Sequence, residues 1–250
     1  MNSVFITGGT TGIGLELAKK YLEKGWKVGV CGRDRLKFEE SSVAKHENIH
    51  FYQVDVANKS DIQGAIADFS KSIGLDLLIA NAGIGYAHKT KIPDFPYSYR
   101  IVEVNLLGLM YSFEAALNVM IPRGKGHLVG MSSIAGYNGL PGVSAYSGTK
   151  AAVARICESL HLDLKQFNIN VTTICPGFVD TPLTQKNHHS MPFLMTAPRA
   201  AKLIVRAIEK KKMVYAFPFF FSTIVRILGA LPRTWFRRIM TLKSINYSKE

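Results

Sequence analysis

The chain has 250 residues, 47% of them apolar and 20% charged, with a formal net charge of +13. This balance excludes a disordered or low-complexity segment, and the length admits one large buried core. Cys31, Cys157 and Cys175 form no C-x-x-C pair and each lies in an apolar run, which excludes a disulfide framework and a thiolate metal site in favour of buried free thiols in a reducing compartment.

Strand-like sequence begins at Val4 without a basic n-region or apolar h-region before it, so no signal peptide is expected. Val4–Thr7 reads as a short strand ending in Gly8-Gly9. Ile13–Glu23 carries apolar residues at helical spacing and stops at Gly25. Trp26–Cys31 reads as a second strand, and Asp34 can cap a helix to about Lys45. Ile49–Val54 is a third strand, and a helix runs from Ser60 to near Gly74. Asp76–Ala80 is an apolar strand broken by Asn81-Ala82-Gly83. A long helix is expected over roughly Tyr97–Met120. Gly126–Ser132 is strand-like and leads to a helix carrying Tyr146. Ile169–Cys175 is a strand closed by Pro176-Gly177, and a helix between Pro198 and Lys211 precedes a last strand at Met213–Phe217.

Apolar strands alternating with helices imply a parallel sheet covered on both faces. No linker composition or repeat interrupts the pattern. The expected fold is α/β: a doubly wound, Rossmann-like parallel sheet in three α/β/α layers, with an extra C-terminal helical segment. Residues 1–217 form the dinucleotide-binding and catalytic domain in this reading, and 218–250 a basic, aromatic helical extension packed on it.

Thr7-Gly8-Gly9-Thr10-Thr11-Gly12-Ile13-Gly14 joins the first strand to the first helix. Glycines there let backbone approach a pyrophosphate, and the helix N-terminus offers N–H groups and partial positive charge. The end of the second strand is where an adenosine ribose would lie, and an acidic residue there favours NAD. This chain places Gly32-Arg33 at that point, with no carboxylate before Asp34. Arginine suits a 2′-phosphate, so NADP(H) is expected in preference to NAD(H).

Tyr146 and Lys150 are four residues apart, which on a helix sets them on one face, one turn apart. A nearby ammonium stabilises a phenolate, and bringing a phenol from its usual ~10 to neutrality takes ~4 kcal/mol. A phenol so tuned can exchange a proton with a substrate oxygen. Ser133, beyond a glycine-rich turn, could hold the same oxygen.

With these motifs in order, the chain resembles the short-chain dehydrogenase/reductase family over Val4 to about Phe217. The resemblance rests on the glycine turn Thr7–Gly14, Asp55 after the third strand, Asn81-Ala82-Gly83, Asn105 in V-N-L-L-G, Ser133 lying 13 residues before Tyr146, Tyr146-x-x-x-Lys150, and Pro176-Gly177 with Thr181. It implies an oxidoreductase that interconverts a carbonyl and a secondary alcohol. Tyr146 would be the proton donor or acceptor, Lys150 its tuner and the holder of the nicotinamide ribose, and Ser133 the ligand of the reacting oxygen. Asn105 would place a water that links Lys150 to solvent. Cofactor contacts are implied for Gly8, Thr10, Thr11, Gly12, Ile13, Gly14, Arg33, Asp55, Val56, Asn81, Ala82, Gly83, Tyr146, Lys150, Pro176, Gly177, Val179 and Thr181. A homodimer or homotetramer is expected through the helices at 97–120 and 144–167. A non-catalytic NADP(H)-binding regulator on the same fold is the other reading, and the intact Asn105, Ser133, Tyr146 and Lys150 argue against it.

The family's mobile lid corresponds to the stretch from Thr181 to Pro198, where Met191, Phe193, Leu194 and Met195 would give an apolar lining for a hydrophobic substrate. His188-His189 lacks i, i+4 spacing and a nearby carboxylate, so no metal site is expected. The loop at Gly85–Asp94, with His88 and Lys89, would form another wall. Residues 199–250 hold 12 lysines and arginines against Glu209 and Glu250. Val214–Leu231 is apolar but interrupted by Pro218 and Arg226, too broken for a membrane span. Pro232 suits the first turn of a second helix in which Trp235, Phe236, Ile239, Met240 and Leu242 point largely one way, edged by Arg233, Arg237 and Arg238. Two readings stay open for this tail: an interfacial segment on an anionic membrane, or helices packed over the substrate mouth or into an oligomer. The expected location is cytoplasmic, with a peripheral membrane association under the first reading. The tail's aromatics cluster among aliphatics rather than alternating with cations on a platform, so nucleic acid is not an expected partner.

Overall fold

A computed structural model of the chain describes residues 2–85, 94–186 and 190–242. In chain order the elements are β1 (Ser3–Thr7), α1 (Gly12–Leu22), β2 (Lys27–Gly32), α2 (Arg35–Glu39), β3 (Ile49–Gln53), α3 (Lys59–Ser72), β4 (Leu77–Ala80) and α4 (Phe95–Val102). They continue with α5 (Gly108–Arg123), β5 (Gly126–Met131), α6 (Ser144–Asp163), β6 (Ile169–Pro176), β7 (Val179–Asp180), β8 (Met195–Thr196), α7 (Ala197–Glu209), β9 (Val214–Phe217), α8 (Phe219–Ala230) and α9 (Arg233–Met240).

Seven strands pair in the order β3-β2-β1-β4-β5-β6-β9, every pair parallel. The fold is Rossmann-like α/β. Alternation along β1 divides the core between the two faces of the sheet. Val4 and Ile6 join Leu17, Tyr21 and Ile204 under α1 and α7. Phe5 joins Ile62, Phe69, Phe113 and Val153 under α3, α5 and α6. Phe5 and Phe69 meet edge-on at 5.5 Å. Gly29, opposite Phe5 in the β1–β2 register, makes this contact fit, because a Cβ there would lie 2.9 Å from the Phe69 ring.

Two helices depart from the sequence expectation. Asp34 does cap α2, accepting from Lys37 N at 3.2 Å, but the helix stops at Glu39 rather than near Lys45. Glu39 and Glu40 oppose the negative end of the helix dipole, and Ser41-Ser42 follow with poor helix propensity. The long helix expected over roughly Tyr97–Met120 runs from Phe95 to Arg123 but contains a π-helical turn at Glu103–Leu107, between α4 and α5. Side-chain periodicity barely registers one widened turn. Its position, at Asn105, bears on the site.

The tail forms both expected helices, with Pro232 at the N-cap of α9. Its apolar residues do not share one face. Met240 is buried and Phe236 and Ile239 are partly buried, whereas Trp235 and Leu242 are exposed.

At the start of α1, a Cβ on Gly14 would collide with the Gly8 carbonyl oxygen and stand 2.6 Å from Asn81 Nδ2. Gly14→Ala is therefore expected to cost about 1–3 kcal/mol in the absence of any ligand. Thermal unfolding would show this as a lowered Tm, and an unchanged Tm would show that the turn relaxes freely.

Candidate active site

The strand order reverses between β1 and β4, so the connections after these two strands leave in opposite directions and open a crevice at their carboxyl ends. Side chains brace this split. Thr7 Oγ1 accepts from Asn81 N and Ala82 N, both at 3.0 Å, and Asn81 Nδ2 donates to the carbonyls of Thr7 (3.0 Å) and Gly8 (3.1 Å). Gly8 and Gly12 take positive φ angles of 64° and 55°. A Cβ at Gly8 would also stand 2.9 Å from Ala82 Cα. Thr11, the N-cap of α1, makes no side-chain cap bond, so the first-turn N–H groups face the crevice unspent.

The crevice encloses about 300 Å³. At one end it is lined by Gly8, Thr10, Thr11, Gly12, Ile13, Arg33, Asp55 and Val56, and in the middle by Asn81, Ala82 and Gly83. At the other end lie Ser133, Tyr146, Lys150, Pro176, Gly177, Val179 and Thr181. Of the residues singled out in the sequence, Gly14 and Asn105 do not line it. Gly14 packs α1 against the glycine turn. Asn105 is 2% exposed. Its Oδ1 accepts from Ile84 N at 2.8 Å, and its Nδ2 donates to Ile84 O at 2.9 Å. Gly83 lies between Asn105 and Lys150: a Cβ there would stand 3.3 Å from Asn105 Oδ1 and 3.5 Å from Lys150 Nζ.

The lining also holds residues the sequence reading missed: Cys31, Gly32, Val54, Ile84, Val104, Met131, Ser132 and Pro182–Thr184. Most adjoin a motif residue in the chain. The Thr181–Thr184 turn had a signal of its own, a Thr-Pro-x-Thr turn sequence, and Thr184 Oγ1 closes it on Val179 O at 2.6 Å. Arg100 had no local signal. It pairs with the Asp55 carboxylate, whose other oxygen accepts Ala57 N at 3.0 Å, and with Glu103 at 3.0 Å. Asp55 thus enters the crevice wall with both oxygens engaged.

The expected lid lining is corrected. Met195 lies in β8, paired with Val179 of β7, and is buried in the core under α7. Met191, Phe193 and Leu194 do not line the crevice either; Phe193 instead lies 5.7 Å from the Phe221 ring. A two-residue strand pairing is a tertiary event that the loop's composition does not announce. His88, Lys89, His188 and His189 lie outside the described residues.

Ser133, Tyr146 and Lys150 are brought together by a clamp between β5 and α6. Lys150 Nζ donates to Met131 O at 2.8 Å, and Ser132 Oγ donates to Lys150 O at 2.7 Å. Gly136 allows the approach, since a Cβ there would stand 2.7 Å from the Lys150 carbonyl carbon. Lys150 Nζ lies 5.7 Å from the centre of the Tyr146 ring. Burial pushes the Lys150 ammonium down to about 8. Burial raises the Tyr146 phenol, and a hydrogen bond from Ser133 pulls it the other way. The expected lowering of the Tyr146 phenol by Lys150 is therefore absent in the chain alone: the desolvation that weakens the ammonium also disfavours the phenolate.

A match to the short chain dehydrogenase family model covers residues 2–192. A Myxococcus xanthus protein named as an uncharacterized oxidoreductase is 33% identical over 239 residues, spanning 94% of each chain. A Mycobacterium tuberculosis protein with a similar name is 32% identical over 94% of this chain and 96% of its own. Among solved structures, ElxO with NADP bound superposes with a TM-score of 0.77 at 26% identity, covering 86% of this chain and 96% of that one. A short-chain dehydrogenase from Streptomyces avermitilis gives a TM-score of 0.81 at 23% identity over 96% and 95% of the two chains, a likeness of fold.

The Lys150 shift carries a stability consequence. Its ammonium is disfavoured in the fold, with a pKa of about 8 against ~10.4 in the unfolded chain. Below pH 8 both states hold the proton and the folded state bears the cost. Between pH 8 and 10.4 the unfolded state holds more protons, so this cost is relieved as pH rises. The unfolding free energy of the wild type minus that of Lys150→Met is expected to rise by about 3 kcal/mol across this window. A flat difference in denaturant titrations at several pH values would show that Lys150 is not desolvated.

Proposed function

The chain belongs to the short-chain dehydrogenase/reductase family, and on that premise we propose that this oxidoreductase uses NADP(H) to interconvert a carbonyl and a secondary alcohol on an apolar substrate. The observation that carries the reading is the crevice itself. It joins an uncapped helix N-terminus and Arg33 at one end to Ser133, Tyr146 and Lys150 at the other. All these groups lie before residue 218, and 218–242 act as an extension packed on the same domain.

The residues present fit the cofactor. Gly8 and Gly12 hold the turn open where a Cβ would fill it. Gly8 and Thr10–Ile13 would take the phosphates, Asp55 and Val56 the adenine, Asn81–Gly83 the middle of the molecule, and Pro176, Gly177, Val179 and Thr181 the nicotinamide. When bound, the nicotinamide supplies or accepts the hydride. Tyr146 gives or takes the proton at the substrate oxygen, Ser133 holds that oxygen, and Lys150 supplies positive charge to the phenol and the ribose. Asn105 keeps Ile84, and with it Gly83, in place beside Lys150.

Preference for NADP(H) is supported by how two neighbouring side chains are used. Asp34 turns its carboxylate back onto its own helix, accepting Lys37 N and lying 3.4 Å from Lys37 Nζ. Arg33 is exposed at the crevice and pairs with no carboxylate among the described residues. The similarity to ElxO, which holds NADP, points the same way. An apolar substrate suits Ile84, Val179 and Leu183. Exposed Met110, Ile121 and Leu162 support a homodimer or homotetramer built on α5 and α6, and three free, buried cysteines suit a reducing, cytoplasmic setting.

Tyr146→Phe is expected to lower kcat by about 10²–10⁴ while leaving NADPH binding intact. Stopped-flow NADPH oxidation with a panel of carbonyl compounds would measure this, and near-full activity in the variant would sink the mechanism. Arg33→Ala is expected to raise KM for NADPH by about 10–100-fold, the loss of one charge-assisted contact, with little effect on NADH. An enzyme that favours NADH regardless of residue 33 would overturn the cofactor assignment.

A further inference from the structure

α8 carries apolar residues on two faces, with Arg226 between them over the Tyr137 ring, and only one of the apolar faces is used by the fold. Phe221, Ser222, Val225 and Gly229 face inward. Phe221 stacks on Phe178 at 6.0 Å, Asn138 Nδ2 donates to Val225 O at 2.8 Å, and a Cβ on Gly229 would collide with Asn138. By helical spacing Phe219, Phe220, Thr223, Ile224 and Ile227 share the other face. Phe219 is 73% exposed, Phe220 77%, Ile224 51% and Ile227 59%. An apolar helix face of this size is normally covered.

The charge on the next helix in the chain indicates what covers this face. Several bases elsewhere in the fold find acids: Lys19 pairs with Glu16, Lys24 with Glu209, Lys59 with Glu114 and Arg123 with Asp76. On α9, which follows after two residues, Arg233, Arg237 and Arg238 are exposed and pair with no carboxylate among the described residues. Trp235 is exposed beside them. A second copy of this chain would bring the same unpaired cations into a two-fold contact, where they repel. Exposed phenylalanines, isoleucines and a tryptophan next to unpaired arginines match the headgroup–acyl boundary of a negatively charged bilayer. With 12 residues α8 is about 18 Å long, too short to span a bilayer of ~30 Å but suited to lie in its surface.

We propose that the outer face of α8, with the arginines and Trp235 of α9, docks the protein onto an anionic lipid membrane. The docking does not depend on the oxidoreductase reading. It adds a consequence to that reading: the inner side of the same helix stacks Phe221 on Phe178, which sits in the chain between the crevice residues Gly177 and Val179, so apolar substrates would reach the site from the bilayer surface.

The test is co-sedimentation of the full chain with vesicles of phosphatidylcholine alone and of phosphatidylcholine mixed with phosphatidylglycerol. Binding is expected to the mixed vesicles, to weaken with added salt, and to be at least about tenfold weaker on the neutral ones. Phe220→Ser combined with Ile224→Ser, and separately Arg233→Gln combined with Arg237→Gln and Arg238→Gln, are each expected to weaken it by about tenfold or more. Should the first variant unfold, the arginine variant, which removes no packed side chain, decides. No pelleting with either vesicle, or equal pelleting by wild type and variants, overturns the proposal. So does light scattering that shows a wild-type dimer dissociating in the Phe220→Ser/Ile224→Ser variant, which would give the face to a second copy.

Discussion

Thr7 and Asn81 hold each other across the split between β1 and β4, and the crevice exists because they do. An open parallel sheet that reverses its strand order leaves a gap whose backbone groups need partners. Four hydrogen bonds of 3.0–3.1 Å between these two residues and their neighbours supply them. Each is worth about 1 kcal/mol net, yet losing either side chain would strand buried donors or acceptors, which costs more per group. The brace also fixes the Gly8 carbonyl and the Asn81 amide against which α1 begins. No side chain fits between them, which is the physical content of Gly14. The glycine turn and the end of β4 are thus one object.

The second constraint is the burial of Lys150. An ammonium on a residue 5% exposed is held there by one carbonyl, Met131 O, and no carboxylate among the described residues neutralises it. Removing it from water costs enough to bring its pKa to about 8. In a fold selected for stability alone such a group would be a liability. Here it stands one helical turn from a phenol whose ionisation burial also opposes. Both groups are displaced from their solution behaviour by the same cause, a pattern concentrated where protons are transferred. Burial alone cannot make the phenol acidic; the hydrogen bond from Ser133 is the contact that pulls it the other way.

Much of this was legible in the sequence because it is local. Apolar strands, glycines at a strand–helix junction and the Tyr146–Lys150 spacing are each set by residues within one or two turns of chain. What was not legible is set by distant partners. Arg100 finds Asp55 across 45 positions, and nothing in either neighbourhood announces it. Met195 read as a lid residue because its stretch is loop-like, yet pairing with Val179 makes it core. The tail's apolar residues were read as one stripe on the second helix. Burial instead divides them, with Met240 inside and Trp235 outside, since the neighbouring domain surface chooses the face.

The π turn at Glu103–Leu107 connects these parts. One widened turn disturbs regular helix hydrogen bonding, and such turns persist where the geometry gained outweighs that cost. The gain here is placement. Upstream of the turn, Arg100 reaches Asp55 at the far wall of the crevice. Within it, Asn105 turns inward to satisfy both the N–H and the C=O of Ile84. Its amide nitrogen also lies 3.4 Å from Thr149 Oγ1, next to Lys150 on α6. Downstream, Gly108 packs so tightly on Val56 that a Cβ would stand 2.8 Å from it. A regular helix would rotate Asn105 away from Ile84 if Arg100 kept its partner, or Arg100 away from Asp55 if Asn105 kept its own. The irregular turn lets a single continuous helix hold the Asp55 wall, the middle of the crevice and the Tyr146–Lys150 helix in register.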